Sequence, residues 1–180
     1  MYLVQNIFNK SAIRAISDKP GVYRWFAEIT DFEKLSYRLG INPPYTEIEK
    51  IEFEGKVLYA IYVGIAVNET LSSRLEWHIL QRHTPSAIKH GTLSTLRQSI
   101  SSVLFGDQSD EAGTDDFIKT LYVEIYHESK HPVKSPQAKA EITKIEKDLL
   151  AKNLYILNIR ENKYPGAPKK LLRVMRKAAK

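Results

Sequence analysis

Two extended runs, each carrying a tyrosine–glycine triplet, constrain this chain more than any other feature. The first follows the turn Asp18-Lys19-Pro20-Gly21, runs from Val22 to Ile29 and opens with Gly21-Val22-Tyr23. It is rich in β-branched and aromatic residues, which favour a pleated strand. The second, Val57 to Ala66, is apolar at nearly every position and contains Tyr62-Val63-Gly64. A run that apolar belongs near the centre of a sheet covered on both faces. Taken singly, each triplet says little, because Gly-Val-Tyr occurs by chance and a strand-end glycine is ordinary punctuation.

The spacing of apolar residues predicts helices around these strands. Val4, Ile7, Phe8, Ile13 and Ile16 fit a short helix, broken at Asn9 to Ser11. Thr30 to Gly55 carries Pro43-Pro44 and many charges and reads as a partly irregular insertion. Asn68 or Thr70 can cap a helix from about Leu71 to His83, and Glu69 favours its start. Leu93, Leu96, Ile100 and Val103 share one face of a helix from Thr92 to Leu104. Gly106 to Asp116 reads as an acidic loop, and Leu121 to His127 alternates as a half-buried strand. Ser135-Pro136 is an N-cap followed by an N1 proline, opening a helix to about Asn153. Leu154 to Ile159 reads as extended, Pro165 to Pro168 as a break, and Lys169 to Ala179 as a basic helix.

The expected architecture is therefore an α/β (α+β) domain with a small, mostly antiparallel, three-stranded central sheet flanked by helices. Residues 1–160 form one domain, with an N-terminal helix at 1–17 and the insertion at about 30–56, and residues 161–180 form a basic helical tail.

Charge is informative by position. The net +6 lies in residues 161–180, where seven Lys/Arg face one Glu, and residues 1–160 hold 20 of each sign. A polyanion such as DNA would feel that tail through counterion release, without any base being read. Lys89, Arg97, Lys169, Lys170, Arg173, Arg176 and Lys177 could line a phosphate-tracking surface. The tail helix is also amphipathic through Leu171, Leu172 and Met175, so it could instead pack on its own domain or meet a partner. With no cysteine there is no disulfide, thiolate zinc site or thiol nucleophile. The N-terminus shows no signal-peptide pattern and no apolar run is long enough to span a bilayer, so a soluble, cytoplasmic protein without membrane partners is expected.

Helical geometry singles out one carboxylate. In the helix that begins at Pro136, Ile142, Ile145, Leu149 and Leu150 define the core-facing stripe. Glu146 falls inside it, while Lys144, Lys147 and Asp148 point outward. A carboxylate there is costly unless it is paired, protonated or bound to a metal. Arg74 and His78 share a helical face at i, i+4, behind Tyr62-Val63-Gly64. The remaining histidines lack zinc-ligand spacing. Phosphodiester hydrolysis needs an attacking water, charge neutralisation on the phosphate and help for the leaving oxygen. Arg74 suits a phosphate, Glu146 a hard cation that keeps its waters, and neutral His78 can take a proton from a tyrosine, itself a poor base.

Taken together, Gly21-Val22-Tyr23, Tyr62-Val63-Gly64, Arg74, His78, Glu146 and Asn158 resemble the GIY-YIG nuclease superfamily, from about Pro20 to Asn158. Both triplets carry valine where that family has isoleucine. The resemblance implies a divalent-metal-dependent DNA endonuclease using Mg²⁺ or Mn²⁺. It assigns Tyr23 to activating water, Tyr62 to orienting water or phosphate, Arg74 to the scissile phosphate, Glu146 to the metal and Asn158 to supporting hydrogen bonds. His78, in an Arg-x-x-x-His helix, matches the restriction-endonuclease-like branch, in which action as a homodimer is common. The alternative is a non-catalytic DNA-binding or assembly module that keeps the fold. Specificity for a DNA sequence or structure is not legible in these residues.

Overall fold

The structure, a computed structural model, describes residues 1–160, Asn162 and residues 167–180. Its centre is an antiparallel sheet of five strands in the order β1-β5-β2-β4-β3. These are β1 (Tyr2–Leu3), β2 (Gly21–Glu28), β3 (Lys50–Phe53), β4 (Lys56–Ala66) and β5 (Tyr122–Glu128). The three expected strands are β2, β4 and β5. The two additional strands are short edges of the kind that blunt a sheet against further pairing. β3 arises from the presumed irregular insertion, through a two-residue hairpin at Glu54-Gly55, where both residues take positive φ (49° and 75°). Glycine accepts that conformation readily and glutamate does not advertise it, so the hairpin had no turn signature.

Five helices not yet placed complete the first two-thirds of the chain: α1 (Lys10–Arg14), α2 (Ile29–Arg38), α3 (Leu71–Leu80), α4 (Pro85–His90) and α5 (Thr95–Leu104). After them come α6 (Glu111–Lys119), α7 (Pro136–Lys152) and α8 (Lys169–Ala178). The single N-terminal helix expected from Val4 to Ile16 is instead β1, a 3₁₀ turn at Val4–Ile7 and α1. Asn9 is the cause, because its side chain accepts the Ala12 amide at 2.8 Å and starts a new helix. α2 also occupies the insertion, burying Phe32, Leu35 and Leu39 at helical spacing. α6 replaces most of the expected acidic loop, since Asp110 caps it through the Gly113 amide. Ser135 caps α7 by accepting the Ala138 amide, as expected.

Alternate residues of the strands feed two layers. Tyr23, Trp25, Ala27 and Ile61 join the larger core with α2, α3 and α5. Val22, Phe26, Leu58, Ala60 and Val63 join the second, under α7. Trp25 pairs with Tyr62 and Phe26 with Ala60, so Ile61 is the extra residue of a bulge in β4. Ile61 and Tyr62 both turn to the larger core as a result, on the same side as Tyr23.

On that second layer Arg24, 4 % exposed, is satisfied by Glu49 (2.6 Å) and Glu124 (2.7 Å) and lies over the Tyr126 ring. The C-terminal helix packs on the domain: Leu172 is buried, Met175 packs against the same core and α8 lies on α5. Pro168 caps α8; the rest of the break expected at Pro165 to Pro168 falls largely outside the described residues. No helix of the described residues is long and apolar enough to cross a membrane.

Candidate active site

β4 outruns its partner. β3 pairs only with residues 56–59, leaving the upper edge of β4 without a strand. The segment 154–159 covers that edge. The Leu157 amide donates to the Ile61 carbonyl at 3.0 Å. The Asn158 side chain accepts the Val63 amide at 2.9 Å and donates to the Val63 carbonyl at 2.8 Å. A single amide thus replaces one strand pair, and it holds this segment beside Tyr62.

At this edge lies a cavity of about 530 Å³, walled by α3 from one face of the sheet and α7 from the other. Tyr23, Tyr62, Arg74, His78, Glu146 and Asn158, all six residues singled out in the sequence, line it. The triplet glycines have steric reasons. A Cβ on Gly64 would lie 2.3 Å from the Tyr23 hydroxyl oxygen, and one on Gly21 would lie 2.1 Å from the His127 carbonyl oxygen. Gly64 is therefore the space that the Tyr23 phenol occupies.

Tyr23 and His78 are each about 1 % exposed, and the Tyr23 hydroxyl is 2.6 Å from His78 Nε2. The opposite ring nitrogen, Nδ1, lies 2.6 Å from the Ser94 hydroxyl. Ser94 also caps α5 by accepting the Arg97 amide, and its own amide donates to Gln81. Burial, helped by the nearby Tyr62 and Glu146, pushes the Tyr23 hydroxyl well above its ordinary value. Tyr62 rises to about 12, again chiefly by burial and then Glu146. His78 falls to about 3, because burial and then the Arg74 and Arg97 cations disfavour its charged form. The resting site therefore holds two neutral phenols and a neutral imidazole.

This has a consequence for stability. The unfolded chain binds a proton at His78 near the ordinary 6.5 and the folded chain does not until about pH 3. Stability is thus complete above about pH 6.5 and is lost as pH falls through that window, at up to about 1.4 kcal/mol per pH unit from this group. Buried His83, also lowered by burial, acts in the same direction. Urea unfolding at pH 7, 6 and 5 should show this slope, and His78→Gln should flatten it. An equal slope in both proteins would refute the assignment to His78.

Arg74 is held from two sides, ion-paired to Glu69 at 2.6 Å and stacked on Trp77 at 4.8 Å. Among the described residues its buried Nε has no hydrogen-bond partner. Glu146 is half-buried on α7 and reaches both tyrosines electrostatically. Among the described residues no group of three or more acidic or histidine side chains could cage a metal. A lone carboxylate facing an open, wet cavity suits a hard divalent cation that keeps most of its waters, not an all-protein cage.

The wider set of candidate DNA contacts separates. Lys89, Lys170, Arg173 and Lys177 are exposed, and Lys169 is half-buried. Arg97 is not on a surface at all. It is fully buried, donating from Nε to His83 at 2.7 Å and from Nη1 to the Ile79 carbonyl at 2.8 Å, and it is paired with Asp115. It closes the C-terminal end of α3 and holds the helix that carries His78. Arg176 likewise turns inward, to Gln98, and its charge reaches Tyr62. A helical-face argument cannot separate a cation facing water from one facing carbonyls. Ser94, Glu69, Trp77, Lys139, Lys147 and Arg160 also belong to the site or its support. Of these, Glu69 was read only as favouring a helix start, and Ser94, the cap of α5, fell inside the helix expected from Thr92.

A family model described as the GIY-YIG catalytic domain matches residues 21–178. No curated protein and no solved structure matches the chain.

Proposed function

Since the chain belongs to the GIY-YIG catalytic-domain family, we propose that it hydrolyses DNA phosphodiester bonds with a divalent cation, Mg²⁺ or Mn²⁺. The observation that carries this reading is the 2.6 Å contact between Tyr23 and His78, set in one cavity with Arg74 and Glu146. In that arrangement Nδ1–H of His78 donates to Ser94, which leaves the Nε2 lone pair to accept the Tyr23 hydroxyl. Tyr23, protonated at rest, takes a proton from the attacking water as it passes its own to His78. Arg74 binds the scissile phosphate. Pairing with that phosphate also removes a cation that depresses His78, so basicity rises when substrate is present. Tyr62 orients the water or phosphate, and Asn158 fixes the strand that carries Tyr62. Glu146 would hold the cation, which supplies Lewis-acid stabilisation of charge on the phosphate and leaving oxygen.

The test is supercoiled plasmid with Mg²⁺ or EDTA. Nicking or linearisation should appear with the cation, vanish with chelator and fall at least about a hundredfold in Glu146→Gln. A folded wild type that binds plasmid but never cuts it, under any divalent cation, would replace the enzyme with a binding module.

A further inference from the structure

The cavity holds more positive charge than its chemistry uses. Among the described residues its walls carry one carboxylate, Glu146, against Arg74, Lys139, Lys147 and Arg160. Arg74 is matched by Glu69. Lys139, Lys147 and Arg160 are exposed and make no salt bridge among the described residues. Lys10, Lys19, Lys34 and Lys56 each have an acidic partner, whereas exposed Lys50, Lys89, Lys130 and Lys152 make no salt bridge among the described residues; what sets the cavity cations apart is that they converge on one site. Unpaired cations concentrated at one cavity mouth attract an anion there.

Their placement selects the shape of that anion. Lys139, Thr143 and Lys147 stand four residues apart on α7, forming one row beside Glu146. The row continues out of the cavity as a groove along α7, lined by the same three residues with Pro136, Ala140, Lys144 and one carboxylate, Asp148, so its lysines still outnumber its acid. Eight residues of helix span about 12 Å at 1.5 Å each. One strand of duplex DNA carries a charge for about every 3.4 Å of helix axis, and neighbouring phosphates along the strand lie about twice that far apart, so the row reaches roughly two to three phosphates. A small phosphate ester would use one end of such a row, whereas a strand lying along α7 uses all of it. Thr143, between the lysines, adds a hydroxyl donor of the kind that fixes a phosphate without reading a base.

We propose that the Lys139–Thr143–Lys147 row is a rail for the strand being cut, binding the backbone phosphates on one side of the scissile bond, with Arg160 on the facing wall. The rail rests on the DNA reading of the site. It places the main backbone contact on the helix that carries Glu146, within residues 1–160, whose net charge is zero, and not on the basic tail. Because every contact is to phosphate, the rail contributes affinity and register but no sequence preference.

The test measures anisotropy of a fluorescein-labelled duplex of about 20 base pairs in EDTA, over a range of NaCl concentrations. The probes are wild type, Lys139→Gln/Lys147→Gln, and Lys152→Gln as an exposed lysine of the same helix outside the cavity and groove. The double variant should bind about tenfold more weakly at low salt, with a salt slope smaller by about 1.8, two contacts at about 0.9 each; Lys152→Gln should match wild type. Unchanged melting temperatures would show that exposed positions were altered without unfolding. A double variant with wild-type affinity and slope overturns the rail, as does an equal loss in Lys152→Gln. Plasmid cleavage by wild type separates the two claims. Cutting with an unchanged slope removes the rail and keeps the nuclease, and a reduced slope without cutting does the reverse.

Discussion

Tyr23→Phe is expected to lower plasmid cleavage by about 10³-fold, and at most about 10⁴-fold, while the protein stays folded. The variant removes one oxygen and keeps the ring that fills the space above Gly64. What it removes is the hydroxyl that contacts His78 Nε2 at 2.6 Å. Without it, water has no proton acceptor in reach of the relay, and the lost factor is that of a positioned general base. The structural cost is smaller, because one buried nitrogen loses a partner, worth about 1–3 kcal/mol. That corresponds to a melting point lower by roughly 2–10 °C for a domain of this size. A folded Tyr23→Phe protein that cuts within tenfold of wild type would remove Tyr23 from the chemistry. Loss of cutting together with loss of DNA affinity would make it a binding residue instead.

The largest expected effect on stability falls on a residue whose sequence context suggested a DNA contact. Arg97→Met should cost about 3–5 kcal/mol, since it takes the charge from a buried network and leaves its partners in place. Met keeps much of the volume, so the loss reads polar partners and not a void. His83 Nε2, the Ile79 carbonyl and Asp115 would all lose a donor. Asp115→Asn should cost much less, because that side chain is partly exposed and can turn to water. The check is chemical denaturation of both variants beside a salt titration of DNA binding for any Arg97 variant that stays folded. A variant of near wild-type stability with a weaker salt slope would return Arg97 to the DNA-facing surface.

The contrast between these two residues shows what could be read from sequence. Tyr23 and Tyr62 were legible through the resemblance of their triplets, taken with Arg74, His78, Glu146 and Asn158, to the GIY-YIG family, since either triplet alone says little. Glu146 was legible because a carboxylate on an apolar helical stripe needs a partner. α7, with its Ser135-Pro136 start, was read nearly to the residue because its signals are local. Arg97 was misplaced because its surroundings come from α3, α6 and the intervening segment, none of which its own helix announces. α2 and the β3–β4 hairpin were hidden by a segment whose prolines and charges masked a regular Phe32/Leu35/Leu39 face. The lysine row was lost in a sum: with equal numbers of each sign up to residue 160, the count is neutral although the cavity mouth is not.

The clasp between Asn158 and Val63 joins residues 95 positions apart. On the ribosome, that order becomes a delay. A nascent chain displays Tyr23, Tyr62, Arg74 and Glu146 before Asn158 emerges, and at about 5–20 residues per second the interval from Tyr62 alone is on the order of ten seconds. Over that interval the upper edge of β4 is bare, and the tyrosine strand has nothing to lock its position. A site whose fastening follows its other residues in the chain gains its order only once Asn158 has been made, so polypeptides stopped before that point carry the earlier residues of the site without its order.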